Sequence, residues 1–215
     1  MILALTLFLE LKQRFRRGGD SANFVVSIGG INQKSAHFSR AVREESSRYA
    51  VIDNVITFVT KHGFDGVDIA WFYPGQFGGC KSDKENLILL LEQLHMRLHA
   101  CGMSLSLTVG VDPRDITISY DVVKIDEYVD FVNLLTGDYH DPRKPSHLSP
   151  LYSADPKDRF NIVGNGEFPP KVRVLNPLNI SAIQRKNLHR GWIESAENCH
   201  SAIHLCLSLH IASAR

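Results

Sequence analysis

The period of the apolar positions changes several times along the chain. Ile52, Val55, Ile56 and Val59 recur at helical spacing and predict a helix over residues 46–62 with one stripe toward a core, stopped by Gly63. Leu87, Leu90, Leu91, Leu94 and Leu98 repeat the pattern in a second helix, which Ser82-Asp83-Lys84-Glu85 opens as a capping box and Gly102 ends. Between them, residues 64–74 are rich in β-branched and aromatic side chains and predict a short buried strand that ends in a turn at Pro74. Strand alternation puts Asp68, Ala70 and Phe72 on one face and Val67, Ile69, Trp71 and Tyr73 on the other. Residues 24–28 predict an earlier strand, stopped by Gly29-Gly30. Residues 103–109 predict a later one, with Ser104, Ser106 and Thr108 on a polar face suited to a barrel interior or a site. A loop holding Pro113, a helical piece over 120–127 and a strand over 129–135 follow. Strands alternating with helices predict a parallel α/β architecture, and periodicity alone leaves closed barrel and open sheet undecided.

Composition narrows the class. With 215 residues and 44 % hydrophobic content, one domain with a substantial core is expected. Lys and Arg (24) nearly balance Asp and Glu (23), the formal charge is +1, and there is no long basic run, so nothing points to nucleic acid or an anionic membrane. No apolar run reaches the roughly 18 residues of a membrane span.

The two ends read differently. Residues 1–17 lack a charged segment before the apolar run and a cleavage site after it, and Lys12, Arg14, Arg16 and Arg17 suit the last turns of a helix better than a signal peptide. Residues 178–215 read as an unassigned tail, in which Ile203 to Ile211 is apolar enough for a helix. There His200 and His204, flanked by Cys199 and Cys206, have a spacing that could serve a metal on one helix face, but without a carboxylate or second ligand pair the expectation is no metal. Cys80, Cys101, Cys199 and Cys206 allow three pairings and identify none. Asn179-Ile180-Ser181 is a glycosylation sequon if the chain is secreted.

The strand over 64–74 carries chemistry. A carboxylate inside an apolar strand is costly unless it is hydrogen-bonded or works at a site. The stretch resembles the signature of glycoside hydrolase family 18, the chitinases and their non-catalytic relatives, which runs Asp-Gly-x-Asp-x-Asp-Trp-Glu-Tyr-Pro. Asp65, Gly66, Asp68, Trp71, Tyr73 and Pro74 match, while Ala70 stands at the third Asp and Phe72 at the Glu. In that family the Glu protonates the glycosidic oxygen and the Asp two residues earlier positions the acetamido nucleophile. Phenylalanine has no proton to give. Ser27-Ile28-Gly29-Gly30 is similar to the family's Ser-x-Gly-Gly element on the third barrel strand. Residues 128–138 resemble the sixth strand, which typically ends in Met-x-Tyr-Asp; Asp138 matches its Asp, but Gly137 replaces the Tyr that hydrogen-bonds the acetamido group. The form Asp-Gly-x-Asp-x-Ala-Trp resembles the imaginal disc growth factor-like insect branch, although that branch usually continues Gln-Phe where this chain has Phe72-Tyr73.

The resemblance implies a (β/α)8 barrel, incomplete here, with about strands 3 to 7 in residues 1–177. A full barrel takes about 250 residues, so a truncated copy with exposed sheet edges is expected. It also implies an extracellular protein of chitin metabolism that needs no cofactor. The partner would be chitin or another N-acetylglucosamine-containing glycan, with room for a protein receptor. Asp65, Asp68, Ala70, Phe72 and Gly137 are then vestigial catalytic positions, and Asp68, Phe72 and Asp138 the candidate sugar contacts. Asp68 is equally readable as a relic held by backbone and serine donors, Phe72 as a platform or a plug, Trp71 and Tyr73 as core, and Asp65 as a strand-opening residue bonded to a turn. The leading expectation is an inactive, glycan-binding chitinase-like protein. The alternatives are an active chitinase that has recruited Asp68 or Asp138 as its acid, and a fragment without a function.

Overall fold

The computed structural model describes Glu10, residues 12–14, Arg17, and residues 23–30, 33–110, 113–135, 172–176, 179–182 and 202–206, the last three as backbone. The strands are β1 (Asn23–Gly29), β2 (Gly66–Ala70), β3 (Ser104–Val109), β4 (Phe131–Leu135), β5 (Val172–Asn176), β6 (Asn179–Ala182) and β7 (Ala202–Cys206). The helices are α1 (Ser35–Val42), α2 (Glu45–His62), α3 (Asp83–His99), α4 (Pro113–Ser119) and α5 (Val122–Tyr128). The 7-stranded sheet has the order β6-β5-β4-β3-β2-β1-β7. From β1 to β5 neighbours in space are neighbours in sequence and all run parallel. That is the winding of a (β/α)8 barrel, left open among the described residues between β6 and β7.

Alternation sorts the sheet into two chemically distinct faces. Phe24, Val26 and Ile28 of β1, Val67 and Ile69 of β2, Leu105, Leu107 and Val109 of β3 and Leu134 of β4 lie in one buried cluster with the helices. The predicted helical stripes supply its other half, with Ile52, Val55 and Val59 from α2 and Leu87, Leu90, Leu91, Leu94 and Leu98 from α3. Each such side chain contributes about 1.5–3 kcal/mol on burial. The opposite face carries Ser27, Asp68, Ser106, Thr108 and Asn133, all buried, which is where a barrel keeps its interior.

The ends of α2 and α3 differ in how they are closed. Gly63 takes the left-handed conformation (φ 68°), and the Phe64 amide returns to the Val59 carbonyl at 2.9 Å, so α2 ends in the glycine cap its sequence predicts. The capping box predicted for α3 does not form: Ser82 makes no side-chain cap bond. Instead the buried Asp83 carboxylate accepts from the backbone N–H of Cys80 at 2.8 Å and of Gly75 at 3.3 Å. A buried carboxylate with two amide donors in reach outcompetes an exposed serine hydroxyl for control of that turn.

Three further expectations change. Pro113 begins α4 instead of lying in a loop, because proline fits the first turn of a helix, where no amide donor is needed. The piece expected over 120–127 is α5, shifted to Val122–Tyr128 with Asp121 capping it. The helix expected within Ile203–Ile211 is, over Ala202–Cys206, the strand β7, parallel to β1 with Cys206 in register with Ser27. A short apolar run fits either period, and pairing with the open edge of β1 decides it. His204 therefore lies on a strand and not on a helix, and Cys199 and His200 are outside the described residues. The sequon at Asn179 falls on β6, antiparallel to β5.

Residues 12–14 are helical, consistent with the helix read at the start of the chain. Lys12 is buried and pairs with Asp65 at 3.1 Å, while also donating to the Gly63 carbonyl. Asp65 in turn accepts from the Phe24 amide at 2.9 Å. One ion pair thus joins the N-terminal helix, the end of α2 and the starts of β1 and β2, and Asp65 acts as the strand-opening residue it resembles.

Candidate functional site

Asp68 sits in the middle of β2 with Ser27 beside it on β1 and Ser106 beside it on β3, both directly in register. The Ser27 hydroxyl donates to Oδ2 at 2.6 Å and the Ser106 hydroxyl to Oδ1 at 2.8 Å. Thr108, one step further along β3, donates to Oδ2 at 2.7 Å, and Asn133 of β4 donates its Nδ2 to Oδ1 at 3.1 Å. Two donors per oxygen fill the roughly four acceptor sites of a carboxylate. The side chain is 1 % exposed. Asp68 is thereby the knot that ties four strands on the inner face, and each of its oxygens is turned toward the protein.

The serine donors are among those foreseen, since small polar residues alternate along β3. Thr108 and Asn133 were not assigned to Asp68 from the sequence. The signal was present for Asn133: a lone amide in Phe131-Val132-Asn133-Leu134-Leu135 needs a buried partner, and an unpaired carboxylate two strands away is a natural one.

Beyond Asp68 the inner face turns apolar. Ala70 is buried, and β1 approaches it so closely that a Cβ on Gly29 would collide with the Ala70 carbonyl oxygen; only glycine fits there. The Gly30 amide then donates to that oxygen at 3.0 Å. Phe72 follows just past the strand's C-terminal end and is 5 % exposed, outside the helix-side core cluster. A buried benzyl group at this point closes space and offers no acid, so the plug reading of Phe72 describes its packing better than the platform reading. Gly137 and Asp138 lie outside the described residues.

Trp71 and Tyr73, expected together on the helix side, part company. Trp71 is fully buried, stacked on Phe38 at 5.1 Å between ring centroids, with its indole N–H donating to the Ser35 hydroxyl at 2.8 Å. Tyr73 leaves the strand with φ 56°, and its phenol ring lies against Gly110 at the C-terminal end of β3. The break in alternation is caused by the turn: a left-handed residue reverses the chain before Pro74.

Tyr120, from the segment between α4 and α5, holds this turn. Its hydroxyl donates to the Trp71 carbonyl at 2.8 Å and accepts from the Tyr73 amide at 3.1 Å. Burial pushes the Tyr120 phenol well above its ordinary value. The native state therefore holds this proton more tightly than the unfolded chain; the contribution to stability is complete below about pH 10, where an ordinary phenol titrates, and is lost as pH rises beyond it. Tyr120→Phe should lower stability by about 1–3 kcal/mol at neutral pH and flatten the alkaline decline, as urea unfolding at neutral and strongly alkaline pH would reveal. Equal midpoints for variant and parent would contradict this role.

Among the described residues, no group of three or more His, Cys, Asp or Glu side chains could hold a metal ion, and no helix is long and apolar enough to cross a membrane. Cys80 and Cys101 are free thiols.

Comparison with known proteins bears on this geometry. Residues 3–166 match the sequence profile of Glycosyl hydrolases family 18. The chain is 30 % identical over 163 residues to Probable chitinase 2 of Drosophila melanogaster, covering 70 % of this chain and 34 % of that protein. It is 34 % identical over 161 residues to the oviduct-specific glycoprotein of Mesocricetus auratus, covering 70 % of this chain and 23 % of that protein. The chain thus spans about a third or less of the length of these two relatives. Among solved structures it resembles catalytic domain 2 of the Ostrinia furnacalis Group II chitinase, seen as a mutant in complex with an N-acetylglucosamine oligosaccharide. The TM-score is 0.61 at 29 % identity, over 71 % of this chain and 44 % of that one.

Proposed function

The chain belongs to glycosyl hydrolases family 18, and on that premise we propose that it is a chitinase-like protein that binds chitin or related N-acetylglucosamine glycans without cleaving them. The observation that carries the reading is Phe72. It stands just past the C-terminal end of β2, in the place where the family signature has its proton donor, and is 5 % exposed. General acid catalysis supplies typically 10²–10⁴-fold in rate and needs a positioned proton, which a benzyl side chain lacks.

The neighbouring residues support the same view. Ala70 cannot orient an acetamido group, and Gly137 has no hydroxyl. Asp68 is the nearest carboxyl along β2, but it is 1 % exposed with protein donors on both oxygens and has no path to a glycosidic oxygen. Its role in this reading is to hold the floor of the groove, with sugar contacts made above it at the strand ends, where a barrel of this type builds its site. Asp138, which matches the Asp of the family's sixth-strand motif, is proposed as a further sugar contact on that resemblance alone. The family points to an extracellular setting.

Retention on chitin beads together with a fluorogenic chitooligosaccharide assay tests the proposal. Retention without turnover above buffer is expected. Turnover would support the recruited-acid alternative, and neither retention nor turnover would overturn glycan binding altogether.

A further inference from the structure

Phe77 is 66 % exposed, and it sits with φ 48° in the loop that follows β2. A bulky residue in the left-handed region is a conformational outlier, since glycine or asparagine would fit that backbone with less strain. Exposing a large apolar ring there adds nothing to the core. Two unfavourable choices at one position point to a task for the ring.

The surroundings give that task a place. Phe77 meets Tyr73 edge-on at 5.5 Å between centroids, and Tyr73 meets Phe72 at 6.1 Å. Tyr73 also has positive φ, and its ring is held against Gly110 at the end of β3. The turn between the two rings is fixed on several sides. The Gln76 side chain donates to Asp115 at 3.2 Å and to Ser119 at 3.0 Å, the Gln76 amide donates to the Tyr73 carbonyl at 3.0 Å, and Tyr120 receives the Tyr73 amide. Three aromatic rings therefore run outward from the inner face of β2 to solvent, on a loop whose backbone and polar side chains are anchored to α4 and to the segment after it.

We propose that Phe77, backed by Tyr73, is an aromatic platform at the C-terminal rim of the sheet that takes the C–H face of one pyranose ring of an N-acetylglucosamine glycan. The inference rests on the glycan-binding reading above and adds the residue that carries affinity. A ring already held by an edge contact loses little freedom on binding, so stacking translates into affinity instead of being spent on ordering. Because Phe72 itself is buried, the platform displaces the sugar contact outward from the vestigial catalytic position to an exposed ring.

The experiment is calorimetric titration of soluble chitohexaose into the full chain and into Phe77→Ala and Phe77→Trp. The parent and Phe77→Trp should bind alike, with Phe77→Ala weakened about tenfold, the scale expected for loss of one buried aromatic contact. All three should melt at the same temperature, as the ring lies outside the core. Parent binding that survives Phe77→Ala unchanged would overturn the platform and leave the glycan-binding reading standing. A parent that binds no chitohexaose would remove both. Self-association of the parent that Phe77→Ala abolishes, with sugar affinity intact, would assign the ring to a second copy of the chain and overturn the proposal.

Discussion

Replacing Asp68 with alanine is expected to cost on the order of 3–5 kcal/mol, a large part of the 5–15 kcal/mol by which a domain is typically stable. The substitution removes the common acceptor of Ser27, Ser106, Thr108 and Asn133. Those donors come from β1, β3 and β4 and lie where water does not reach, and an unsatisfied buried donor costs about 1–3 kcal/mol. Part of the loss is recovered as hydroxyls rotate toward backbone acceptors, which keeps the total below the sum. Asp68→Asn should cost less, about 2 kcal/mol, because one oxygen remains while the other becomes a donor facing donors. Ser27→Ala, which removes a single bond to the carboxylate, should cost least. Urea unfolding of the three variants gives the order directly, and a neutral Asp68→Ala would show that the four hydrogen bonds do not organise the inner face.

The second large effect is a failure of rescue. Restoring the family signature with Ala70→Asp and Phe72→Glu should give no measurable chitooligosaccharide turnover. The carboxylate introduced by Ala70→Asp would enter a face on which every described donor near Asp68 is already committed, and the close approach of β1 at Gly29 leaves the backbone no room to yield. A second buried carboxylate without a partner is destabilising by several kcal/mol. Even in molecules that fold, Gly137 supplies no hydroxyl, and loss of one such electrostatic donor alone costs roughly 10²–10³ in rate. Strong cleavage by the double variant would mean that the groove is otherwise complete.

How far these features can be read from the sequence depends on the kind of interaction that decides them. β2 and the separation of Asp68 and Ala70 from Val67 and Ile69 follow from alternation, and the stripes of α2 and α3 follow from helical spacing, because burial of a whole face overrides local detail. The partners of Asp68 are only half legible: Ser106 sits on a polar period, whereas Asn133 becomes a partner through the register of β4 on β3, which lies outside local sequence. Tyr73 escapes the alternation because a positive φ ends the strand's periodicity one residue before Pro74. Cys80 and Asp83 settle the start of α3 against the simpler Ser82 pattern, and β7 takes its conformation from the edge of β1 more than from its own apolar run. Tertiary contacts made those choices.

The proposal that this scaffold holds a glycan it cannot cut is tested most directly by incubating chitohexaose with a stoichiometric amount of the full chain and following it by mass spectrometry. The account predicts that the hexaose is recovered intact at full occupancy, while shorter oligomers accumulating in proportion to protein, absent from buffer alone, would contradict it.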